Sequence, residues 1–362
     1  MIEVAANRSA RESLREIADQ IPAIAPQWPE RAVRHLDNLT KPLGSLGRLE
    51  EIAARLAGIQ QKDVLDCSNK AIFTLAADHG VTEEGVSAYP KAVTGQMVRN
   101  FLKGGAAINV LCRQFGIEVI VVDIGVDGTM ELATGLVDRK VANGTRNMTR
   151  GPAMDENQLA GALQVGVELA AGAAKQGRTL IGTGEMGIGN TTVTSVITTV
   201  LTGKPAPQVT GMGTGLDSAG IERKIAVIER AIAVNRPNPS DPFDILQKVG
   251  GFEIAGLTGL ILGGAARRMA VVVDGFIATA AAALACAIEP RVGAFLFAAH
   301  RSSEPGHEAL LELIGQRPLL DLRMRLGEGT GAALAMAVIE AAAKLFNEMA
   351  TFSSAHVSGA LS

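Results

Sequence analysis

Five short apolar runs limit what this chain can fold into more than any other feature. They are Ala71–Ala77, Glu118–Asp123, Thr179–Gly182, Arg268–Asp274 and Gly293–His300. None alternates apolar with polar residues, so strands built from them would be buried on both faces. Helix-like apolar spacing lies between them, from Val93 to Phe115 and from Val165 to Lys175. Strand runs separated by helical patterns predict an α/β fold: a parallel sheet covered by helices on both sides. Polar residues and glycines follow the runs. Asp78-His79-Gly80, Asp123, Glu185, Asp274 and His300 are therefore expected on one rim, where ligands bind in open α/β sheets.

Helices are expected at both chain ends. Ser9–Ile21 carries Leu14, Ile17 and Ile21 at helical spacing, and Pro22 would end it. A second helix begins near Gly47, with Leu49, Ile52, Leu56 and Ile59 on one face. Between them Pro42 and Gly44 make His35–Ser45 a turn segment. Ala332–Met349 reads as an Ala-rich helix. The chain has 41 glycines and only 3% aromatics. Its core must then be built of Ala, Val, Leu and Ile, with close backbone approaches.

Charge and cysteine usage exclude some partners. A net charge of -3 provides no basic field for a nucleic-acid backbone. Cys67, Cys112 and Cys286 are few and scattered, which fits reduced thiols and a cytoplasmic setting. The first residues lack the apolar core of a signal peptide. Apolar stretches at Gly250–Ala266 and Met269–Ile288 carry Glu253, Arg267-Arg268 and Asp274. They read as buried core, and no membrane partner is expected.

Gly182-Thr-Gly-Glu-Met-Gly187 matches the glycine pattern of a dinucleotide site. That pattern needs an acid about 20 residues further on for a ribose hydroxyl. The stretch from Thr191 to Thr214 contains no Asp or Glu, which weakens an oxidoreductase reading. Gly187-Ile-Gly189-Asn190-Thr191 instead suits a phosphate at a helix start. Gly211-Met-Gly213-Thr214-Gly215-Leu-Asp217 is a second glycine-rich helix entrance, with Lys224 about two turns in. In Gly327-Glu328-Gly329 a carboxylate stands between glycines, where a general base can approach a ligand closely. Each motif also has a plain structural reading as a helix cap, a surface lysine or a turn. His300, Glu304 and His307 lack a third His or Cys ligand nearby, so no metal is expected there. A binding-only nucleotide sensor is the remaining alternative.

Taken in order, these segments resemble the nicotinate-nucleotide–dimethylbenzimidazole phosphoribosyltransferases of cobalamin synthesis. The resemblance rests on LDNLTKPLGSLGRLE from Leu36, ADHGV at Ala77, VSAYP at Val86 and GEMGIGNTT at Gly184. It continues in GMGTGLD at Gly211, FAAHRSSEPGH at Phe297 and LGEGTGA at Leu326. It implies a Rossmann-like parallel sheet in a large domain over 61–334. A small helical domain would form from 1–60 plus 335–362, and the enzyme would be a homodimer. It further implies Glu328 as catalytic base, with Glu185 and Lys224 in the same site. Tyr89, Gln96, Ser302 and Leu326 would surround the benzimidazole. Gly187, Ile188, Gly189, Asn190 and Thr191, with Gly213, Thr214, Gly215, Asp217 and Gly327, would hold the nucleotide. The partners are small molecules alone. The expected reaction needs no cofactor, and no pyrophosphate leaves to require a metal.

Overall fold

The computed structural model describes residues 10–130 and 134–358. Ser9, the expected start of the first helix, lies outside them. Six strands form one sheet: β1 (Lys70–Ala77), β2 (Glu118–Gly125), β3 (Leu136–Asp138), β4 (Leu180–Met186), β5 (Ala270–Val273) and β6 (Leu296–Ala298). Their order is β3-β2-β1-β4-β5-β6, and all pair in parallel. The chain direction across the sheet reverses between β1 and β4, the switch point at which such sheets open a crevice. Every residue of β1 and β5 is buried, as their unbroken apolar runs require.

The helices in the first part of the chain are α1 (Ala10–Asp19), α2 (Gln27–Asp37), α3 (Arg48–Gln60), α4 (Val93–Leu102), α5 (Ala107–Phe115), α6 (Glu156–Lys175) and α7 (Asn190–Thr202). Those in the second part are α8 (Ala206–Val209), α9 (Ser218–Asn235), α10 (Pro242–Val249), α11 (Phe252–Ala266), α12 (Phe276–Ile288), α13 (Gly306–Leu313) and α14 (Thr330–Glu348). Strands touch α4, α5, α11, α12 and α14. Helices α6 and α11 meet backbone to backbone. A methyl at Gly166 would land on the Gly256 carbonyl oxygen and 2.8 Å from the Gly259 carbonyl carbon. This is one place where the glycine content of the chain is put to use.

At the chain ends, α3 packs against both α2 and α14. The His35 Nε2 lies 2.8 Å from the Phe346 carbonyl oxygen, and Leu39 bridges Thr351. Helix α1 lies against α6 and α11 instead. Helix α14 is long and apolar enough to cross a membrane by length and composition. Its buried side, however, is packed on α3, α5, β4 and β5. Helices α11 and α12, the two stretches already expected as core, are shorter and almost wholly buried.

Four local expectations are corrected. His35–Asp37, expected in a turn, form the last residues of α2, a helix with no counterpart among those expected. The Val93–Phe115 pattern breaks into two helices at Gly104, whose φ of +76° ends α4 in the left-handed region. β3 has no counterpart among the expected strands, because three residues leave too short a pattern to read. The run from Gly293 begins as a 3₁₀ turn, Pro290–Phe295, and becomes extended only at Leu296.

Candidate active site

Gly182 and Gly184 lie inside β4, not in a turn after it. Their bare α-carbons let other segments close in. A side chain at Gly184 would strike the Glu328 carbonyl oxygen and come 2.8 Å from the Thr74 Oγ1. One at Gly182 would come 2.8 Å from both Ile72 and Met336. The first two glycines of the dinucleotide-like pattern therefore serve sheet packing. The tight turn begins only at Gly187, and Gly189, at φ +93°, starts α7. The Ile188 N–H donates to the Thr94 Oγ1 at 3.1 Å. Behind this turn, His79 and Glu253 form a fully buried pair at 2.8 Å.

A cleft of about 430 Å³ opens beside this turn, at the C-terminal ends of the strands. Glu185, at the end of β4, faces it and accepts a hydrogen bond from the Asn190 amide. Glu328 enters from another side. Gly327, Glu328 and Gly329 all have positive φ, at +86°, +65° and +95°. A glutamate in that region is strained unless its surroundings hold it. Asp274, just after β5, does so. Its Oδ2 accepts from the Gly329 N–H at 3.1 Å, and its Oδ1 from the Ala332 N–H at 3.0 Å. The Thr74 hydroxyl donates to the Glu328 carbonyl at 3.0 Å. These bonds fix the backbone and do not engage the carboxylate. Its Oε2 is buried without a partner among the described residues.

Clustered carboxylates raise one another's pKa. Glu185 is pushed up to about 8, first by burial and then by Asp274, Glu253 and Glu328, against the Asn190 hydrogen bond. Burial also raises Glu328, opposed by the Ile108 main chain, and the nearby Asp274 raises it further. Burial raises Asp274 itself, against His300 and the N–H groups of α14.

A buried cation stands behind the Thr191 and Gly211 segments. Lys224 on α9 is fully buried and stands behind the cleft lining, where it donates to the Thr191 Oγ1 at 2.9 Å and the Gly211 carbonyl at 3.4 Å. Burial lowers its pKa to about 8, and Glu304 partly offsets this. Arg325 crosses the mouth to the Gly213 carbonyl at 2.7 Å. The Thr214 Oγ1 accepts from the Ala88 N–H at 3.0 Å, which ties this loop to the segment carrying Tyr89.

Most of the residues expected in the site come together here. Tyr89, Glu185, Gly187, Ile188, Asn190, Thr191, Gly213, Thr214, Ser302, Leu326, Gly327 and Glu328 all line the cleft. Tyr89 and Leu326 stand half-exposed at its mouth. Lys224, Gly189 and Gly215 belong to its supporting segments. Gln96 is exposed on α4, next to the lining residue Met97. The Asp217 side chain accepts from the Gly220 N–H at 2.8 Å as the cap of α9, outside the lining. Asp78 and Asp123 lie outside the lining and accept main-chain hydrogen bonds, Asp78 Oδ2 from the Asp127 N–H and Asp123 Oδ1 from the Gly125 and Val126 N–H groups. The cleft also contains His300, which was expected on this rim, and Phe276, Glu304 and Arg325, which were not expected as ligand contacts. His300 and Glu304 belong to the FAAHRSSEPGH segment, and only its geometry separates them from the other polar residues there.

His307 props that segment. Its Nδ1 accepts from the Ser302 N–H at 2.9 Å, and its Nε2 meets the Thr279 hydroxyl at 2.9 Å. Burial, with His300 and Arg301 nearby, lowers its pKa to about 3 from 6.5. Below about pH 6.5 the unfolded chain therefore binds a proton that the folded chain refuses. The stability contributed by neutral His307 is full above that pH and is lost as pH falls toward about 3. Denaturant unfolding at pH 7 and pH 4.5 should show a shallower acid loss for His307→Gln than for the parent chain. Equal losses would remove His307 as a source of acid sensitivity.

A phosphoribosyltransferase family profile matches residues 21–357. A Geobacter metallireducens protein named nicotinate-nucleotide–dimethylbenzimidazole phosphoribosyltransferase is 57% identical, over 90% of this chain and 93% of that protein. One of the same name from Geobacter sulfurreducens is 54% identical, over 95% and 98%. Among solved structures, CobT from Thermus thermophilus superposes with a TM-score of 0.89 at 46% identity. That match covers 92% of this chain and all of that one.

Proposed function

The chain belongs to the nicotinate-nucleotide–dimethylbenzimidazole phosphoribosyltransferase family, and we propose that the rim cleft is its active site. The enzyme moves the 5-phosphoribosyl group of nicotinate mononucleotide to 5,6-dimethylbenzimidazole, giving α-ribazole 5′-phosphate and nicotinate. The observation that carries the site assignment is the Oε2 of Glu328, buried without a partner among the described residues, in a cleft also lined by the start of α7, whose Thr191 is bonded to Lys224.

The leaving group needs little help. Nicotinate is a quaternary pyridinium in the nucleotide and departs as a neutral ring nitrogen, so no acid has to protonate it. The difficulty lies with the acceptor. One neutral benzimidazole nitrogen attacks the sugar C1, and the N–H on the other nitrogen becomes acidic as that bond forms. Glu328 takes this proton, and its burial-raised pKa brings it closer to the operating pH of a general base. Attack opposite the leaving group converts the β-nucleotide to an α-nucleotide.

Both rings must therefore be held across one sugar, and positioning of this kind can lower a barrier by about 7–11 kcal/mol. The Gly187–Gly189 turn and the first N–H groups of α7 present positive potential to a phosphate. Lys224, tied to Thr191, adds charge at the same end. Glu185, with its pKa raised to about 8, is mostly protonated at pH 7 and meets the sugar as a hydrogen-bonding carboxyl group, not as a counter-charge. Tyr89, Ser302 and Leu326, with Gln96 beside them, surround the acceptor ring.

The wider assembly is part of the same proposal. The enzyme works in the cytoplasm, in keeping with three free thiols whose pKa values burial pushes up to about 12. It acts as a homodimer, with a large domain over 61–334 and a small one from 1–60 plus 335–362. The packing of α3 on α2 and α14 supports the second.

The test is to incubate the protein with nicotinate mononucleotide and 5,6-dimethylbenzimidazole, without added metal, and separate the products by liquid chromatography and mass spectrometry. α-Ribazole 5′-phosphate and nicotinate in equal amounts are expected. Bound nucleotide with no product would leave a binding protein, not a transferase.

A further inference from the structure

Glu304 lines the cleft, is only 6% exposed, and has no role in the mechanism above. Its backbone is fixed. Its N–H donates to the Ser302 hydroxyl at 3.3 Å, its carbonyl accepts from the His307 N–H at 3.0 Å, and Pro305 follows. Its carboxylate is not: Oε2 is buried with no partner among the described residues. That oxygen rests against the bare α-carbon of Gly211, where any side chain would collide with it. Lys224 reaches the carbonyl of the same Gly211, at 3.4 Å. A buried carboxylate and a buried ammonium thus flank one glycine. No ion pair joins them among the described residues.

Leaving opposite buried charges apart is costly unless a third group satisfies them. The group that fits must donate a hydrogen bond to Glu304 and accept one from the cationic side. A phosphate dianion cannot donate, and Glu304 would repel it. A sugar hydroxyl does both. Resting on the phosphoribosyl reading above, we propose that Glu304 receives a secondary hydroxyl of the pentose and makes the site select ribonucleotides over deoxyribonucleotides.

A site built around a hydroxyl rejects the analogue lacking it, because its own polar group is then left unpaired. The test compares kcat/KM for nicotinate mononucleotide and its 2′-deoxy and 3′-deoxy analogues, in the wild-type enzyme and in Glu304→Gln. The deoxy sugars differ in intrinsic reactivity, but that difference cancels when the two enzymes are compared. The wild type should prefer the ribonucleotide over one of the analogues. In Glu304→Gln that preference should shrink about 10- to 100-fold, with the loss falling on the ribonucleotide. An unchanged preference against both analogues would overturn the assignment. So would a loss confined to the KM for dimethylbenzimidazole, which would place Glu304 against the acceptor ring. If Glu304→Gln fails to fold, Glu304→Asp keeps the charge but draws it back by one methylene, and the same ratio is read. A wild-type enzyme that transferred nothing from the intact nucleotide would refute the family-level reading, a result no analogue series could mimic.

Discussion

Glu328→Gln will lower kcat for transfer to dimethylbenzimidazole by about 10²- to 10⁴-fold, the usual value of a positioned base. Nicotinate mononucleotide should still bind. Glutamine has the shape of glutamate, and the bonds that hold the strained loop come from Asp274 and Thr74 to the main chain, not to the carboxylate. The loop geometry should survive, and only the proton acceptor is lost. Nucleotide binding, read by calorimetry, should stay within a few-fold of wild type while single-turnover product formation falls. A variant as fast as its parent would eliminate Glu328 as the base. A variant that no longer binds nucleotide would show that the residue holds the site together.

Gly166→Ala should have the largest effect on stability. The added methyl would meet the Gly256 carbonyl oxygen and the Leu260 N–H on α11. Nothing flexible stands there to yield, because both are backbone atoms of a buried helix. Overpacking a close-packed interior costs about 1–3 kcal/mol and sometimes more, and contact with rigid backbone belongs at the upper end. The melting midpoint should fall by at least about 5 °C. Gly172→Ala is the internal control. It lies on the same helix with nothing within 4 Å of the added atom, so only the gain in helix propensity, up to about 1 kcal/mol, should appear. If both variants melted together, the α6–α11 contact would not be as tight as the structure has it.

Much of the frame was legible because strand burial leaves a one-dimensional trace. Ala71–Ala77 and Glu118–Asp123 had to be interior strands, and they appear as β1 and β2 within two residues. The Asp217 cap and the Gly182–Gly184 pair were harder to read, because the same letters serve two purposes. Glycine permits a phosphate turn and also permits a strand to touch its neighbours. Which applies depends on what lies across from it, here Glu328 and Met336, more than 140 residues away. Glu304 was hidden for a related reason. Its burial and its facing glycine come from two loops that meet only in three dimensions. Ser302 and Leu326 came from the family resemblance, since nothing in their local pattern marks an aromatic pocket.

Strand β1 has β2 on one side and β4 on the other, with Lys70 opposite Leu180. A growing chain has therefore made β1 long before its second neighbour exists. Until residue 186 has emerged, one edge of an apolar strand stands open, an invitation to pair with other chains. Parallel pairings this far apart close slowly, since a long loop must be ordered before any contact rewards it. The loop bearing Glu328 and helix α14 behind it are made after all six strands, and α14 packs on β4 and β5. Synthesis thus places the residue proposed as the base near the end of the order: Glu328 follows every strand of the sheet along the chain.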